Sequence, residues 1–307
     1  MKTIRLAYAN MWGRVEAFNA AYMYKMFPYL APHYTFVLDS SYPQLAFYSA
    51  YGYVAEAHRY PDAVRVLYVG EPGQHFAQGA KLAPGVNEPG FYHYALTMDR
   101  AETHPNHTYM PLCALMIPLH FGVGLEVLVR PEGWKTPVKT RFCDFIYSNG
   151  QSQRRIDFFH LLSHYRHVDS AGAVERNTDA LAGTGYDSRG YAAKQRFQAA
   201  SKFSLAFENT QFKGYNSEKA SDPLCANSVP IYWGDPCIKD LFNPDAMINV
   251  DDFVSDADAV AYIREVDQDD ALYRSCAMAP PFRDNVVPGA ISDATFLAFW
   301  HRVLGDL

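Results

Sequence analysis

The chain has 307 residues, of which 49% are hydrophobic, 15% aromatic and 20% charged, and its formal net charge is −6. That composition excludes a disordered or fibrous chain, offers core material for about two domains of ~150 residues, and argues against a general nucleic-acid binder. No run of ~18 uncharged apolar residues occurs, so no transmembrane helix is expected, and Met1 to Leu6 enter a strand pattern with Arg5 inside it rather than a signal peptide.

Strand-like runs at residues 3–9 and 34–38 flank a helical pattern over 15–27 with Ala17, Phe18, Ala21 and Tyr22 on its apolar side. Further strand runs lie at 64–69, ended by Gly70, and at 92–97. Strands separated by helical patterns predict βαβ units and a parallel sheet. Residues 131–139 carry two Pro, a Gly and three charges and read as the linker. After it the alternation restarts. A strand at 141–147 is followed by the turn Ser148-Asn149-Gly150 and a helix over 152–165. Residues 179–195 are Gly-rich and read as a mobile loop. A strand at 202–207, a helix starting in 217–226, a strand at 229–233 closed by Gly234-Asp235-Pro236, and a short strand at 247–250 follow. Ser255 to Asp258 resembles a capping box, with Ala259, Ile263 and Val266 on one face behind it. A last helix from Ser292 puts Phe296, Trp300, Val303 and Leu304 on one stripe, which must dock on another surface.

The charge is uneven: residues 235–307 hold 14 acidic and 5 basic side chains, which leaves 19 acidic and 22 basic in residues 1–234. A mildly basic first part can accept an anionic small molecule. The five cysteines are widely spaced without a CxxC pair, so they read as buried thiols in a reducing cytoplasm.

In open α/β sheets ligands bind at the carboxyl ends of strands. That singles out Glu71, Ser148-Asn149-Gly150, Glu208-Asn209 and Gly234-Asp235. The densest polar cluster runs from Phe207 to Lys219 and enters a helix near Ser217, whose unsatisfied N–H groups favour an anion. Lys219 in that first turn opposes the helix dipole, which suits a cation facing an anionic ligand; a solvated helix start is the alternative. Glu218 can accept hydrogen bonds from sugar hydroxyls. Arg154-Arg155 begin another helix and offer a bidentate grip on phosphate, or are two exposed arginines. Glu71 at the mouth of a strand suits a general base, or is an ordinary loop acid.

Other signals carry less. His160, His164 and His167 have helical spacing without a carboxylate among them, so a helix surface is expected rather than a metal site. Asp256-Ala257-Asp258 reads as helix capping, and Asp267 to Asp270 as a helix–helix junction. No Gly-rich phosphate loop is present.

Five blocks in order then carry a family resemblance. They are Lys202 through Thr210, Gly214-Tyr215 with Glu218-Lys219, Val229 through Gly234, Phe242-Asn243-Pro244, and Val250 through Phe253. Together they resemble the donor-binding signature of α-1,3-fucosyltransferases, in particular the bacterial enzymes that decorate lipopolysaccharide. Phe145 through Arg155, Arg176-Asn177-Thr178, Tyr68 through Glu71 and Ala9 through Gly13 extend the resemblance over most of the chain.

The resemblance implies an α/β fold in the GT-B arrangement, two Rossmann-like domains facing a cleft, with the C-terminal helix packing back on the N-terminal domain. The corresponding division is an acceptor-binding domain over 1–135, a GDP-fucose-binding domain over 136–290, and a terminal helix over 291–307. It implies inverting transfer of L-fucose from GDP-β-L-fucose to GlcNAc in a galactosyl-GlcNAc-type acceptor, forming an α-1,3 linkage of the Lewis-antigen kind. Glu71 would be the base. Arg155 and Lys219 would neutralise the departing GDP, Glu218 would bind hydroxyls, and Asn209, Tyr215, Ser148 and Asn149 would line the donor site. With two fixed cations, no metal and no cofactor are expected. A transferase for another nucleotide sugar, and a non-catalytic nucleotide- or glycan-binding module, stay open. A cytoplasmic location is expected, with peripheral attachment at the inner membrane left open.

Overall fold

The computed structural model describes residues 1–12, 17–50, 59–72, 91–100, 104–184, 188–305 and 307. The chain divides into two compact units. One comprises Met1–Leu125, Lys213–Tyr215 and Pro288–Leu307; the other comprises Glu126–Phe212 and Asn216–Val287.

The first unit is built on a six-stranded sheet of β1 (Lys2–Ala9), β2 (Tyr34–Leu38), β3 (Leu45–Ser49), β4 (Val64–Val69), β5 (Tyr94–Thr97) and β6 (His107–Tyr109), in the order β2-β1-β3-β4-β5-β6. Every neighbouring pair is parallel. Helix α1 (Ala20–Met26) follows β1 and α2 (Leu112–Phe121) follows β6. The second unit holds a five-stranded parallel sheet of β7 (Arg141–Phe145), β8 (Val168–Ser170), β9 (Ser201–Phe207), β10 (Val229–Trp233) and β11 (Ile248–Asn249), in the order β11-β10-β9-β7-β8. Its helices are α3 (Gln153–Tyr165), α4 (Ser188–Ala199), α5 (Glu218–Cys225), α6 (Asp256–Gln268) and α7 (Asp270–Met278). Both sheets thus share one doubly wound strand order, in which the first strand has the second on one side and the third on the other. The direction of winding reverses between β1 and β3 in one sheet and between β7 and β9 in the other. Such a reversal opens a crevice at the carboxyl ends of the two strands.

The expected parallel α/β architecture is therefore present in both halves. Strands β3, β9 and β10 are buried almost throughout, as strands covered on both faces must be. In the second unit Phe145, Phe158, Phe203, Phe207 and Ile231 fill the core.

The terminal helix α8 (Asp293–Gly305) docks on the first unit. Trp300 is fully buried and meets Phe27 with ring centroids 5.0 Å apart, while Phe296 stacks on Tyr29 and Phe299 meets Tyr94 edge-on. The Lys2 ammonium donates to the Leu304 carbonyl at 2.9 Å, closing the helix end on the start of β1.

Several expectations are corrected. The helix expected over 15–27 is α1, Ala20–Met26; residues 13–16, and with them Gly13 of the Ala9–Gly13 block, lie outside the described residues. Strands β3, β6 and β8 and helix α2 had no sequence signal separating them from apolar runs or loops. Residues 131–139 are not a free linker but pack on the second unit. There the Arg130 guanidinium lies 3.9 Å over Trp134, and the Lys139 ammonium donates to the carbonyls of Ala199 and Asn227. The loop expected over 179–195 ends in helix α4 from Ser188, with residues 185–187 outside the described residues. Helix α4 is held from outside its own sequence. Its Lys194 ammonium donates to the buried Asp222 carboxylate at 2.6 Å, and its Tyr191 hydroxyl bonds the same carboxylate.

Candidate functional site

The carboxyl ends of β7 and β9 bring together most of the expected donor residues. Helix α3 buries Arg155, Phe158, Phe159 and Leu162. Those positions are i, i+3, i+4 and i+7, so Arg155 lies on the inward stripe. The residue is 1% exposed, and its guanidinium sits 3.9 Å over the Tyr147 ring. It donates to the Phe207 carbonyl at 2.9 Å, to Asn209 Oδ1 at 2.8 Å and to the Asn149 carbonyl at 3.1 Å. Its Nε–H has no partner among the described residues. Tyr147 is fixed in turn: its hydroxyl donates to the Leu205 carbonyl at 2.8 Å and accepts from the Phe207 N–H at 2.7 Å. A planar cation on an aromatic face with three fixed bonds is pre-organised.

Arg154, one residue earlier, points elsewhere. It forms a two-pronged pair with Asp256 and lies over Phe207 and Trp233, so of the arginine pair only Arg155 joins this cluster. Ser148 and Asn149 are exposed beside it, and Asn149 Oδ1 accepts the Gln151 N–H at 2.9 Å, which tightens the turn into α3.

Beyond β9 the chain places Glu208, which is fully buried. Its N–H donates to the Trp233 carbonyl at 2.8 Å, so its backbone continues the sheet. One carboxylate oxygen accepts the Ser217 N–H at 2.8 Å, and the other accepts the Ser217 hydroxyl at 2.6 Å. Ser217 is the N-cap of α5, its oxygen accepting from the Lys219 N–H. The Lys219 ammonium lies 3.1 Å from that hydroxyl, 3.5 Å from Glu208 and 3.4 Å from Glu218, with its side chain 14% exposed. Burial alone lowers the pKa of Lys219, but the two carboxylates of Glu218 and Glu208 outweigh it and hold the ammonium above its ordinary value. Burial pushes the Glu208 carboxyl up, against the pull of Lys219. Gly234 makes room for this arrangement, because a Cβ there would run into Cβ and Cγ of Glu208.

Helix α5 is eight residues long and contains Pro223. A proline inside a helix disfavours regular geometry, yet this helix runs from Glu218 to Cys225 with Ser217 as its N-cap. Asp222, one residue before the proline, is the buried anchor that receives Lys194 and Tyr191.

Two expected residues belong to the first unit. Glu71 follows β4 at its carboxyl end and is partly buried, with the buried Pro72 next; residues 73–90 lie outside the described residues. Tyr215 is fully enclosed, on the Lys213–Tyr215 segment that packs with the first unit. There Gly214 has φ of 92°, and a Cβ would collide with the Met98 carbonyl. In this structure the Tyr215 ring therefore serves interior packing.

The discounted signals have structural partners. His160 faces Glu175 at 3.3 Å and His167 faces Asp169 at 3.8 Å; the helix ends at Tyr165, so His167 is not on it. Ser255 caps α6 and Asp269 caps α7. The buried Asp267 receives Arg166, Lys202 and the Tyr165 hydroxyl. Among the described residues no group of three or more His, Cys, Asp or Glu is placed to hold a metal ion. No described helix is long and apolar enough to cross a membrane.

The sequence singled out Glu208 by its place after a strand without giving it a role, and it gave Tyr147 none. Both had a signal: each lies at the carboxyl end of a strand flanking the point where the winding reverses.

Known proteins share this part of the chain. Residues 136–277 match glycosyltransferase family 10 (fucosyltransferase), C-terminal region. The chain is 31% identical over 285 residues to the alpha-(1,3)-fucosyltransferase FucT of Helicobacter pylori, across 85% of this chain and 56% of that protein. It is 31% identical over 182 residues to human GDP-fucose protein O-fucosyltransferase 3, across 56% of this chain and 37% of the relative. The chain thus spans about half, or less, of the length of these relatives. A crystal structure of an alpha1,3-fucosyltransferase with GDP-fucose superposes with a TM-score of 0.72 at 23% identity, covering 99% of this chain and 91% of the other. The shared fold is of the GT-B class.

Proposed function

This chain belongs to glycosyltransferase family 10, the fucosyltransferases, through residues 136–277, and on that premise we propose that it transfers L-fucose from GDP-β-L-fucose to a hydroxyl of GlcNAc in a galactosyl-GlcNAc-type glycan, with inversion to an α-1,3 linkage. The observation that carries the donor half is the pair of cations at the carboxyl ends of β7 and β9. Arg155 is locked over Tyr147, and Lys219 sits at the capped start of α5.

In the proposed reaction Glu71 takes the proton from the acceptor hydroxyl. The hydroxyl oxygen then bonds to the anomeric carbon from the face opposite the diphosphate. The bond from that carbon to the phosphate oxygen breaks, and its electron pair leaves with GDP. This is the inverting logic of two groups on opposite faces of the sugar. Negative charge grows on the diphosphate, so positive groups already in place stabilise the transition state without reorganising. Lys219 reaches the surface, and Arg155 supplies its charge from behind Asn209. Ser217 and the first N–H groups of α5 add the helix-start field. Glu218 binds a hydroxyl of ribose or fucose. Two protein cations take the part that a divalent metal plays elsewhere, so the reaction proceeds without one. A Lewis-type glycan on lipopolysaccharide is the proposed product, made in the cytoplasm at the membrane face.

The similarity to a GDP-fucose protein O-fucosyltransferase favours one second reading, in which the acceptor is a protein hydroxyl. Incubation with GDP-fucose and a panel of galactosyl-GlcNAc glycans and Ser/Thr peptides, with product linkage read by NMR, separates the two. An α-1,3-fucosylated GlcNAc supports the first reading, and a fucosylated peptide alone replaces it. Turnover only with another nucleotide sugar reassigns the donor. GDP binding without any transfer identifies a non-catalytic module.

A further inference from the structure

Converging two cations on one crevice costs Coulomb energy before any anion arrives, and each is also withdrawn from water. Arg155 opposes the charged form of Lys219, and Lys194 on α4 and Lys219 likewise repel. Something must hold Lys219 charged and in place in the empty enzyme. Glu218 is on the same helix turn and partly exposed. A carboxylate that is to bind a sugar hydroxyl cannot also be the permanent partner of the ammonium.

Glu208 meets the requirement. It is 0% exposed, out of reach of a ligand, and rooted in β9. It holds Ser217 by both the N–H and the hydroxyl, and faces the Lys219 ammonium at 3.5 Å. Deepening the GDP-fucose reading and resting on it, we propose that Glu208 is a positioning residue, a buried counter-charge that keeps the α5 N-terminus and the Lys219 ammonium set for the donor diphosphate. On binding, the ammonium exchanges part of its pairing with Glu218 for phosphate oxygens while Glu208 stays fixed. No bond is made or broken in this step.

Among the described residues, the charged and titratable groups around the ammonium are Glu208 from the end of β9, Tyr147 after β7, Arg155 on α3, Lys194 on α4, and Glu218 on α5 itself; Asp222, also on α5, partners Lys194. With Glu208 neutral, one of the two carboxylates that oppose burial and the neighbouring cations is lost, so Lys219 loses its proton at lower pH.

The test is calorimetric titration of GDP into wild type, Glu208→Gln and Ser217→Ala between about pH 7 and about pH 9, with KM and kcat for GDP-fucose and Tm measured alongside. The wild type holds its GDP affinity across that range. Glu208→Gln binds GDP about tenfold more weakly at neutral pH and weakens further toward pH 9, and KM rises more than kcat falls. Ser217→Ala removes the hydroxyl between the carboxylate and the ammonium while keeping both charges, and weakens GDP about threefold without the alkaline loss. A folded Glu208→Gln protein with wild-type affinity, or one weakened equally at every pH, overturns the proposal. Should that variant not fold, unchanged GDP affinity in Ser217→Ala overturns it instead. A wild type that binds no GDP defeats the donor reading itself, whereas one that binds GDP alongside insensitive variants defeats only the role of Glu208.

Discussion

Arg155 donates to Asn209 Oδ1 at 2.8 Å and so ties helix α3, which follows β7, to the loop that leaves β9. These two strands flank the reversal of the second sheet's winding, and the bond joins the two sides of the crevice there. Its physical content is pre-organisation. The guanidinium is stacked and bonded before a ligand arrives, so little side-chain entropy is lost on binding.

Arg155→Ala and Lys219→Ala each weaken GDP binding by ~1.5–3 kcal/mol, Lys219→Ala by the usual loss of a charge-assisted contact and Arg155→Ala by losing a buried positive charge together with the bond that fixes Asn209. Isothermal calorimetry checks both. Arg155→Lys does not restore the affinity, because an ammonium cannot keep the stacking on Tyr147 and the bonds to Phe207, Asn209 and Asn149 together.

Glu71→Gln lowers kcat by ~10²–10⁴, the range for a lost general base, and leaves GDP affinity at the wild-type value. Steady-state kinetics with the preferred acceptor reads the first, calorimetry the second. Turnover at the wild-type rate would move the base to another residue.

Removing divalent metal with a chelator leaves the transfer rate unchanged, since the departing charge is met by Lys219 and Arg155. A rate that falls with chelator and returns with added metal would show that the cations do not suffice.

Trp300→Ala costs ~3–5 kcal/mol of stability, because the ring is fully enclosed against Phe27 and Phe47 and its removal leaves a cavity. Denaturant unfolding followed by circular dichroism measures it. A loss below ~1 kcal/mol would mean that α8 is not integral to the first unit.

Asp144 on β7 gives a pH signature away from the candidate site. Burial raises its pKa from 3.8 to about 6, although the Ser204 hydroxyl donates to it at 2.7 Å. The native state therefore holds this proton more tightly than the unfolded chain does, and stability falls as pH rises from about 4 to about 6. Above that window the cost is constant, on the order of 2–3 kcal/mol. In Asp144→Asn this slope disappears from the pH dependence of unfolding, and an unchanged slope would show that Asp144 does not titrate there.

The inward placement of Arg155 was legible in part. The stripe of Arg155, Phe158, Phe159 and Leu162 is written in the helical period and distinguishes Arg155 from Arg154 without coordinates. The partner of Arg154 was not legible, because Asp256 is distant in sequence and only packing of α3 near the start of α6 unites them. The helix within 179–195 was hidden for a similar reason. Gly-rich sequence has weak intrinsic helicity, and α4 is stabilised by the buried Asp222.

By itself the sequence determined the alternation of strands and helices, the start of α5 near Ser217, the capping of α6, and the apolar stripe of α8, because each depends on neighbours within a few residues. It also carried the resemblance to the fucosyltransferases, since the matching blocks stand in order along the chain. Tertiary structure alone decided which acid stands behind Lys219, that the ring under Arg155 is Tyr147, and that Tyr215 is enclosed. Those outcomes depend on burial and on charges brought together from separate strands. The energy of a charge in a folded protein is set by its distance to other charges and to water, and neither distance is written in the local order of residues.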